Sequence, residues 1–111
     1  MRITLKKLEE QINNVNENYL SKVSPNLTIK YYQPDYYPGV IIMKNGKPIF
    51  NERQDGIHYA QTKTEVFTAL VRVIKFIDAR DRAHTKEHGE KLYYYISDGE
   101  ICGIFAAAFW R

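Results

Sequence analysis

The sequence lacks features on which many secreted, membrane-bound or disulfide-stabilised small proteins depend. It contains one cysteine, Cys102, so an intrachain disulfide is impossible and a reduced thiol is expected. No apolar run approaches the roughly 18 residues of a membrane-spanning helix. The first residues also lack the apolar stretch of a secretory signal. These absences predict a cytoplasmic protein without membrane contact.

An excess of one charge is missing as well. The 111 residues include 16 basic and 13 acidic side chains, which leaves a net charge of +3. A dedicated nucleic-acid-binding protein usually has a more pronounced basic excess, so the charge allows a nucleic-acid partner without favouring one. Apolar residues make up 44% of the chain, which suffices for one domain over residues 1–111 with its own core.

Motifs for catalysis or cofactor binding are absent. The sequence has no phosphate-binding glycine loop, dinucleotide fingerprint or calcium loop. His84–His88 reads His-x-x-Glu-His, a string found in some zinc peptidases, but it lies at a predicted helix end among cations that would repel a metal ion. Cys102 has no base near it in the sequence, which is typical of a structural thiol. We predict no catalytic, cofactor-binding or metal-binding residues, and no enzyme activity.

Turn signals are the clearest feature that the sequence does have. Asn45-Gly46 and Asp98-Gly99 each stand between apolar segments and readily adopt the positive φ angles of two-residue hairpins. The sequence therefore predicts two β-hairpins, with Pro48 near a sheet edge. The predicted strands are 27–33, 40–43, 47–53, 92–96 and 101–110.

Two further segments have helical periodicity. Apolar residues recur at spacings of three and four over Thr4–Leu20, which predicts a helix that either lies on the sheet or contacts another subunit. A second helix is predicted to begin at the capping box Thr62–Glu65 and to end before Gly89. The element order αβββαββ indicates an α+β domain, an antiparallel sheet of about five strands with two helices packed on one face.

Tyrosines are the residues of greatest functional interest. They flank the proline-bounded loop at 34–38 and fill the middle of the predicted strand 92–96. Strand alternation places Tyr93 and Tyr95 on one face and Tyr94 on the other. Exposed tyrosines anchor protein interfaces or stack on nucleobases, whereas cross-strand packing is the structural alternative. Near the end of the sequence, Trp110 is expected to pack against the core or a partner.

Two hypotheses for function follow. The first is a small non-enzymatic module that occupies the surface of a partner protein, or of a second copy in a homodimer. Its candidate contacts are Tyr36, Tyr37, Tyr93, Tyr95 and Trp110. Frequent Ile, Lys, Asn and Tyr are typical of AT-rich genomes and favour a phage or mobile-element accessory protein, such as an anti-defence inhibitor. The alternative is a nucleic-acid-binding accessory protein that combines an exposed tyrosine face with Lys30, Lys44, Lys47, Arg80 and Arg82.

Overall fold

The structure is a computed structural model that describes residues 2–49, 56–88 and 96–110, with the backbone alone for residues 84–88. In these ranges, four antiparallel strands form one sheet, and three helices pack on one of its faces. The predicted α+β class is confirmed, but the predicted five strands and two helices are wrong in number. The predicted strand 92–96, with Tyr93 and Tyr95, lies outside the described residues except at Ile96.

The sheet is built around its second strand. Its members are β1 (Leu27–Tyr32), β2 (Gly39–Lys44), β3 (Lys47–Pro48) and β4 (Ile57–Tyr59). β1 pairs with one edge of β2, whereas β3 and β4 pair with two parts of the other edge. Asn45 and Gly46 have φ angles of 52° and 80°, so the first predicted hairpin is confirmed.

Ile42 marks the point where β3 is replaced by β4 as the neighbour of β2. Its carbonyl accepts a hydrogen bond from the Ile49 N–H at 3.0 Å, and its N–H donates to the Gly56 carbonyl at 2.7 Å. A Cβ on Gly56 would lie 2.3 Å from the Ile49 carbonyl oxygen, so glycine allows the two segments to come this close. Strand pairing resumes at Ile57, in a segment for which the sequence patterns predict no strand or helix.

The first helix has three consecutive parts. These are α1 (Leu5–Val15), a π-helical turn (Asn16–Leu20) and a last α-helical turn (Ser21–Val23). Leu8, Ile12 and Val15 are buried at α-helical spacing, and the next buried residue is Leu20, five positions later. The π-helical turn, with its i+5 bonding, buries Leu20 fully, while Tyr19 packs against the core and is partly buried.

Asn16, in the π-helical turn, attaches this helix to β1. Its Oδ1 accepts from the Ile29 N–H at 2.7 Å, and its Nδ2 donates to the Ile29 carbonyl at 2.9 Å. Ile29 lies opposite Ile42 in the sheet. The backbone N–H and carbonyl of Ile42 bond Gly56 and Ile49, on the side of β2 away from β1. Both backbone groups of Ile29 therefore point away from β2, and the Asn16 amide occupies the place of a further strand.

The second helix, α2 (Lys63–His88), begins as its capping box predicts. The Glu65 N–H donates to the Thr62 hydroxyl at 3.2 Å, and the Glu65 carboxylate accepts from the Gln61 N–H at 3.0 Å. The reciprocal bond thus reaches one residue earlier than in the usual box. The helix continues to its last described residue, so the backbone of the His84–His88 string is helical.

The third helix, α3 (Asp98–Phe109), replaces the predicted hairpin of 92–96 and 101–110. Asp98-Gly99 forms the first helical turn, because Ser97 caps the helix and accepts from the Glu100 N–H at 3.2 Å. Acidic residues in this turn are favoured by the helix dipole. The fully or largely buried residues Ile101, Ile104, Phe105 and Ala108 follow helical spacing, which contradicts the strand. Cys102 is therefore a half-buried helical residue, not a mid-strand one.

The three helices lie side by side over the sheet. α1 runs parallel to α2, since the Ile3 N–H donates to the Thr64 hydroxyl at 3.4 Å near the start of both helices. α3 runs antiparallel to α2, since the Arg72 Nη1 donates to the Ala108 carbonyl at 3.1 Å while Arg80 pairs with Glu100. None of the helices in the described ranges is both long and apolar enough to cross a bilayer.

Candidate protein-docking surface

Exposed large apolar side chains gather at one end of the molecule. In the described ranges these side chains are Leu5, Tyr36, Tyr37, Tyr59, Phe76 and Trp110. All except Phe76 lie where α1 and α2 begin, as the contacts below show. We call Tyr36, Tyr37, Tyr59 and Trp110 the aromatic end. Leu5, in the first turn of α1, lies beside it.

The loop between β1 and β2 presents two of these side chains. The Tyr31 hydroxyl donates to the Gln33 side-chain oxygen, and the Gln33 amide donates to the Tyr36 carbonyl at 3.0 Å. Prolines at both ends restrict the backbone further. In the loop that these hydrogen bonds fix, Tyr36 is 90% exposed and Tyr37 is 57% exposed. The loop therefore displays both side chains to solvent and uses neither in the core.

Tyr59 joins this surface from β4. Its ring lies against that of Tyr32, with centroids 6.2 Å apart and planes inclined at 42°. Partial burial, followed by the proximity of Tyr32 and of Asp35, raises the pKa of Tyr59 above its ordinary value of 10.0. Tyr59 lies opposite Gly39 in the sheet, and the Ala60 N–H donates to the Pro38 carbonyl at 2.9 Å, so the end of the loop lies beside β4. Both segments therefore contribute to one continuous surface.

The first turns of α2 lie between Tyr36 and Trp110. On one side, a cavity of about 560 Å³ has Tyr36 in its wall with Arg2 and Lys63. On the other side, a cavity of about 200 Å³ brings Trp110 next to Ala60, which directly follows β4. The fold thus places aromatic residues that are more than 70 positions apart in the sequence on two sides of the same helix end. Trp110 remains 79% exposed there.

The structure brings three of the five predicted protein-contact residues together, while Tyr93 and Tyr95 lie outside the described ranges. Sequence analysis missed Tyr59, because it predicts no element between the strand 47–53 and the second helix. Its signal was the alternation Ile57-His58-Tyr59, with His58 buried between them. Three residues are too few for such a pattern to stand out.

The residues proposed for nucleic-acid binding do not form one surface. The register places Lys30 on the sheet face away from the helices, opposite the buried Ile41, while Lys44 and Lys47 pair with each other beside the hairpin turn. Lys44 forms an ion pair with Asp98 at 2.7 Å, and Arg80 pairs with Glu100. Arg82 is exposed on α2. Two of the five cations are thus partly neutralised within the chain.

In the described part of the chain, no group of three or more histidine, cysteine or carboxylate side chains is placed to hold a metal ion. The side chains of His84 and His88 lie outside the described set.

Comparisons of the chain with protein-family models, with curated proteins and with solved structures find no match.

Proposed function

We propose that this chain is a small, non-enzymatic protein-binding module whose aromatic end contacts the partner. The observation that carries the proposal is the collection of Tyr36, Tyr37, Tyr59 and Trp110 at one end. Tyrosine and tryptophan supply large, rigid contact areas and are enriched at interface hot spots. Leaving such side chains in water favours aggregation, so a surface that concentrates them calls for a partner.

The degree of exposure supports a protein partner over a small ligand. Ligand sites are concave and enclose most of the ligand surface, whereas Tyr36 and Trp110 are 90% and 79% exposed. A partner with its own apolar recesses would remove this area from water. Residue usage typical of AT-rich genomes extends the proposal to a phage or mobile-element accessory protein, for example an anti-defence inhibitor.

Capture of a partner by a triple variant tests the proposal. The tagged wild-type chain and its Tyr36→Ser/Tyr37→Ser/Trp110→Ser variant would be incubated with lysate of a low-GC bacterium, with and without nuclease treatment. We expect the wild type to retain a protein that the variant loses, while far-UV circular dichroism and melting temperature stay close to wild type. The matched control is Lys30→Ser/Lys47→Ser, which changes exposed residues of the nucleic-acid alternative.

The control also decides between the two functions. A partner that is lost with Lys30→Ser/Lys47→Ser but kept by the aromatic variant would contradict the proposal. Retention that disappears on nuclease treatment would favour the nucleic-acid-binding accessory protein. Equal capture by all three chains would show that the aromatic end is not the contact surface.

A further inference from the structure

A groove runs between α2 and α3 on the solvent side of the helix layer. Its volume is about 460 Å³, and Ile104, Gly103 and Ala107 of α3 line one side. Phe76, from α2, lines the other side and is 38% exposed. A Cβ built on Gly103 would meet no heavy atom within 4 Å, so the groove is open above this residue.

Two contacts join the helices that form the groove. The Arg72 guanidinium donates to the Ala108 carbonyl at 3.1 Å on one side of Phe76, and Arg80 pairs with Glu100 on the other. Each contact joins α2 to α3 about one helical turn from Phe76. A ligand therefore meets a formed groove, which lowers the entropic cost of binding.

The two walls of the groove differ in charge. In the described part of α2, the exposed cations are Arg72, Lys75, Arg80 and Arg82. Arg80 lines the groove, and helical spacing places Lys75 and Arg82 on the same side of α2 as the lining residue Ala79, four residues before it and three after it. The α2 carboxylates Asp78 and Asp81 line a different cavity, on the α1 side. In the described part of α3, the exposed residues from Gly99 to Ala107 have one charged member, Glu100, which already pairs with Arg80. The α2 wall is thus basic and the α3 wall is mostly small and neutral.

We propose that this groove binds an acidic amphipathic helix of another protein. The apolar face of that helix would lie over Gly103 and Ala107 against Phe76, while its carboxylates would meet Lys75 and Arg82. A groove between two antiparallel helices accepts a third helix by ridge-into-groove packing. The positive charge of the α2 side favours a helix with carboxylates over a neutral or basic one.

Other occupants fit the groove less well. A second copy of the chain would bring the same row of arginine and lysine against this one, and like charges oppose association. A nucleic-acid backbone would match the cations but would leave the apolar floor and Phe76 without a contact. The groove is a separate site from the aromatic end, because Phe76 lies 12 residues after Thr64, roughly 18 Å further along α2.

A synthetic peptide provides the probe. We suggest a helix of about 18 residues with leucine at i, i+3, i+4 and i+7 spacing and glutamate along one flank. A second peptide has lysine in place of each glutamate. Titrations into the ¹⁵N-labelled full chain should show saturable binding of the acidic peptide, with the largest amide shifts at Ala79, Gly103 and Ala107. Affinity should fall several-fold from low to physiological salt.

Two variants test the groove directly. Gly103→Leu fills the groove while favouring the helix, so the fold should persist and acidic-peptide affinity should fall at least about tenfold. Lys75→Glu/Arg82→Glu should weaken the acidic peptide and bind the lysine peptide instead. Tyr36→Ser/Tyr37→Ser should bind the acidic peptide as the wild type does, so that failure of this proposal is distinguishable from failure of the aromatic-end proposal.

Several results would overturn the assignment. Equal affinity for both peptides would remove the charge argument, and unchanged binding by Gly103→Leu would place the peptide elsewhere. Tighter binding of a thymidine oligonucleotide, lost in Lys75→Glu/Arg82→Glu, would assign the face to nucleic acid. Dimerisation of the chain alone, detected by sedimentation and lost in Gly103→Leu, would assign the groove to a second copy.

Discussion

At the scale of single residues, one asparagine takes the place of a strand. The Asn16 side-chain amide directs one N–H and its carbonyl oxygen to the same side, as a strand residue does toward its neighbour, and it bonds both backbone groups of Ile29. An exposed strand edge invites pairing with another chain, and natural proteins block such edges in several ways. Here the block depends on one side chain whose position is set by the π-helical turn.

Replacing this asparagine by aspartate should therefore be costly. In Asn16→Asp, the carboxylate still accepts from the Ile29 N–H but faces the Ile29 carbonyl without a donor. We expect a loss of about 1–3 kcal/mol in the free energy of unfolding, measured by urea denaturation. The matched control is Asn13→Asp, an exposed position on α1 that should change stability by less than about 0.5 kcal/mol. Equal losses in both variants would contradict the role of Asn16.

Two tyrosines should make stability depend on alkaline pH. Burial followed by the proximity of Glu9 raises the pKa of Tyr31, and burial is also the largest cause of the raised pKa of Tyr59. The folded chain therefore binds the phenolic proton more tightly than the unfolded chain. Its contribution to stability is complete below about pH 10 and declines as the pH rises through the raised pKa values.

The double variant Tyr31→Phe/Tyr59→Phe isolates this effect. Between about pH 9 and pH 11, its urea midpoint should fall less than that of the wild type, because phenylalanine has no proton to lose. Changes in other titrating groups are common to both proteins and cancel in the comparison. Parallel midpoint curves would show that these two phenols do not couple to folding.

At the scale of elements, α3 shows how one turn signal serves two structures. Asp98-Gly99 has the composition of a hairpin turn, yet Ser97 captures the Glu100 N–H and begins a helix. Short apolar runs do not separate a buried helix from a strand, since both remove the same side chains from water. The outcome depends on packing, in which Phe105 and Phe109 lie against the ring of His58 in β4 at centroid distances of 5.9 and 5.6 Å.

A single alanine substitution distinguishes helix from hairpin. In α3, a Cβ added to Gly99 would meet no heavy atom within 4 Å, so Gly99→Ala should stabilise the chain by about 0.5–1 kcal/mol. In a two-residue hairpin the same change would be destabilising, because the turn needs a positive φ. Gly46→Ala is the control, and it should destabilise because Gly46 has a φ of 80°. Melting temperatures of both variants test this, and a lower melting temperature for Gly99→Ala would contradict the helix.

At the scale of the whole molecule, the residues that stabilise the fold and those proposed to contact a partner lie in different places. The helices and the inner sheet face enclose the core, with Phe105 fully buried. Exposed aromatic side chains collect at the end where α1 and α2 begin and α3 finishes. The end of α3 belongs to both places, because the buried Phe105 and the exposed Trp110 are only five residues apart. We therefore expect Phe105 to stabilise the fold and Trp110 to contact the partner.

Two truncations separate these roles. A chain that ends at Ile104 loses the fully buried Phe105 and Ala108, and it should lose cooperative unfolding by circular dichroism. A chain that ends at Phe109 loses the 79% exposed Trp110 and should melt within a few degrees of the full chain while capturing less partner. A large drop in melting temperature for the second chain would mean that Trp110 supports the core.

Local patterns determined much of this protein. The amphipathic spacing of α1, the capping box of α2, the positive φ at Asn45-Gly46 and the alternation in β1 each depend on neighbours within a few residues, so the sequence alone predicts them. The same patterns predict the exposed loop of Tyr36 and Tyr37. The α+β class follows from these elements without any tertiary contact.

Tertiary structure alone decided the remainder. The helical state of Asp98–Phe109 depends on packing against His58 and α2, and the bonds between Asn16 and Ile29 join segments that are 13 residues apart. β4 is three residues long and exists because the edge of β2 accepts it. The placement of Trp110 beside Ala60, the residue that follows Tyr59, likewise needs the antiparallel course of α3. Such contacts join residues far apart in sequence, and no local pattern encodes which distant partner will supply the missing hydrogen bonds or the apolar surface.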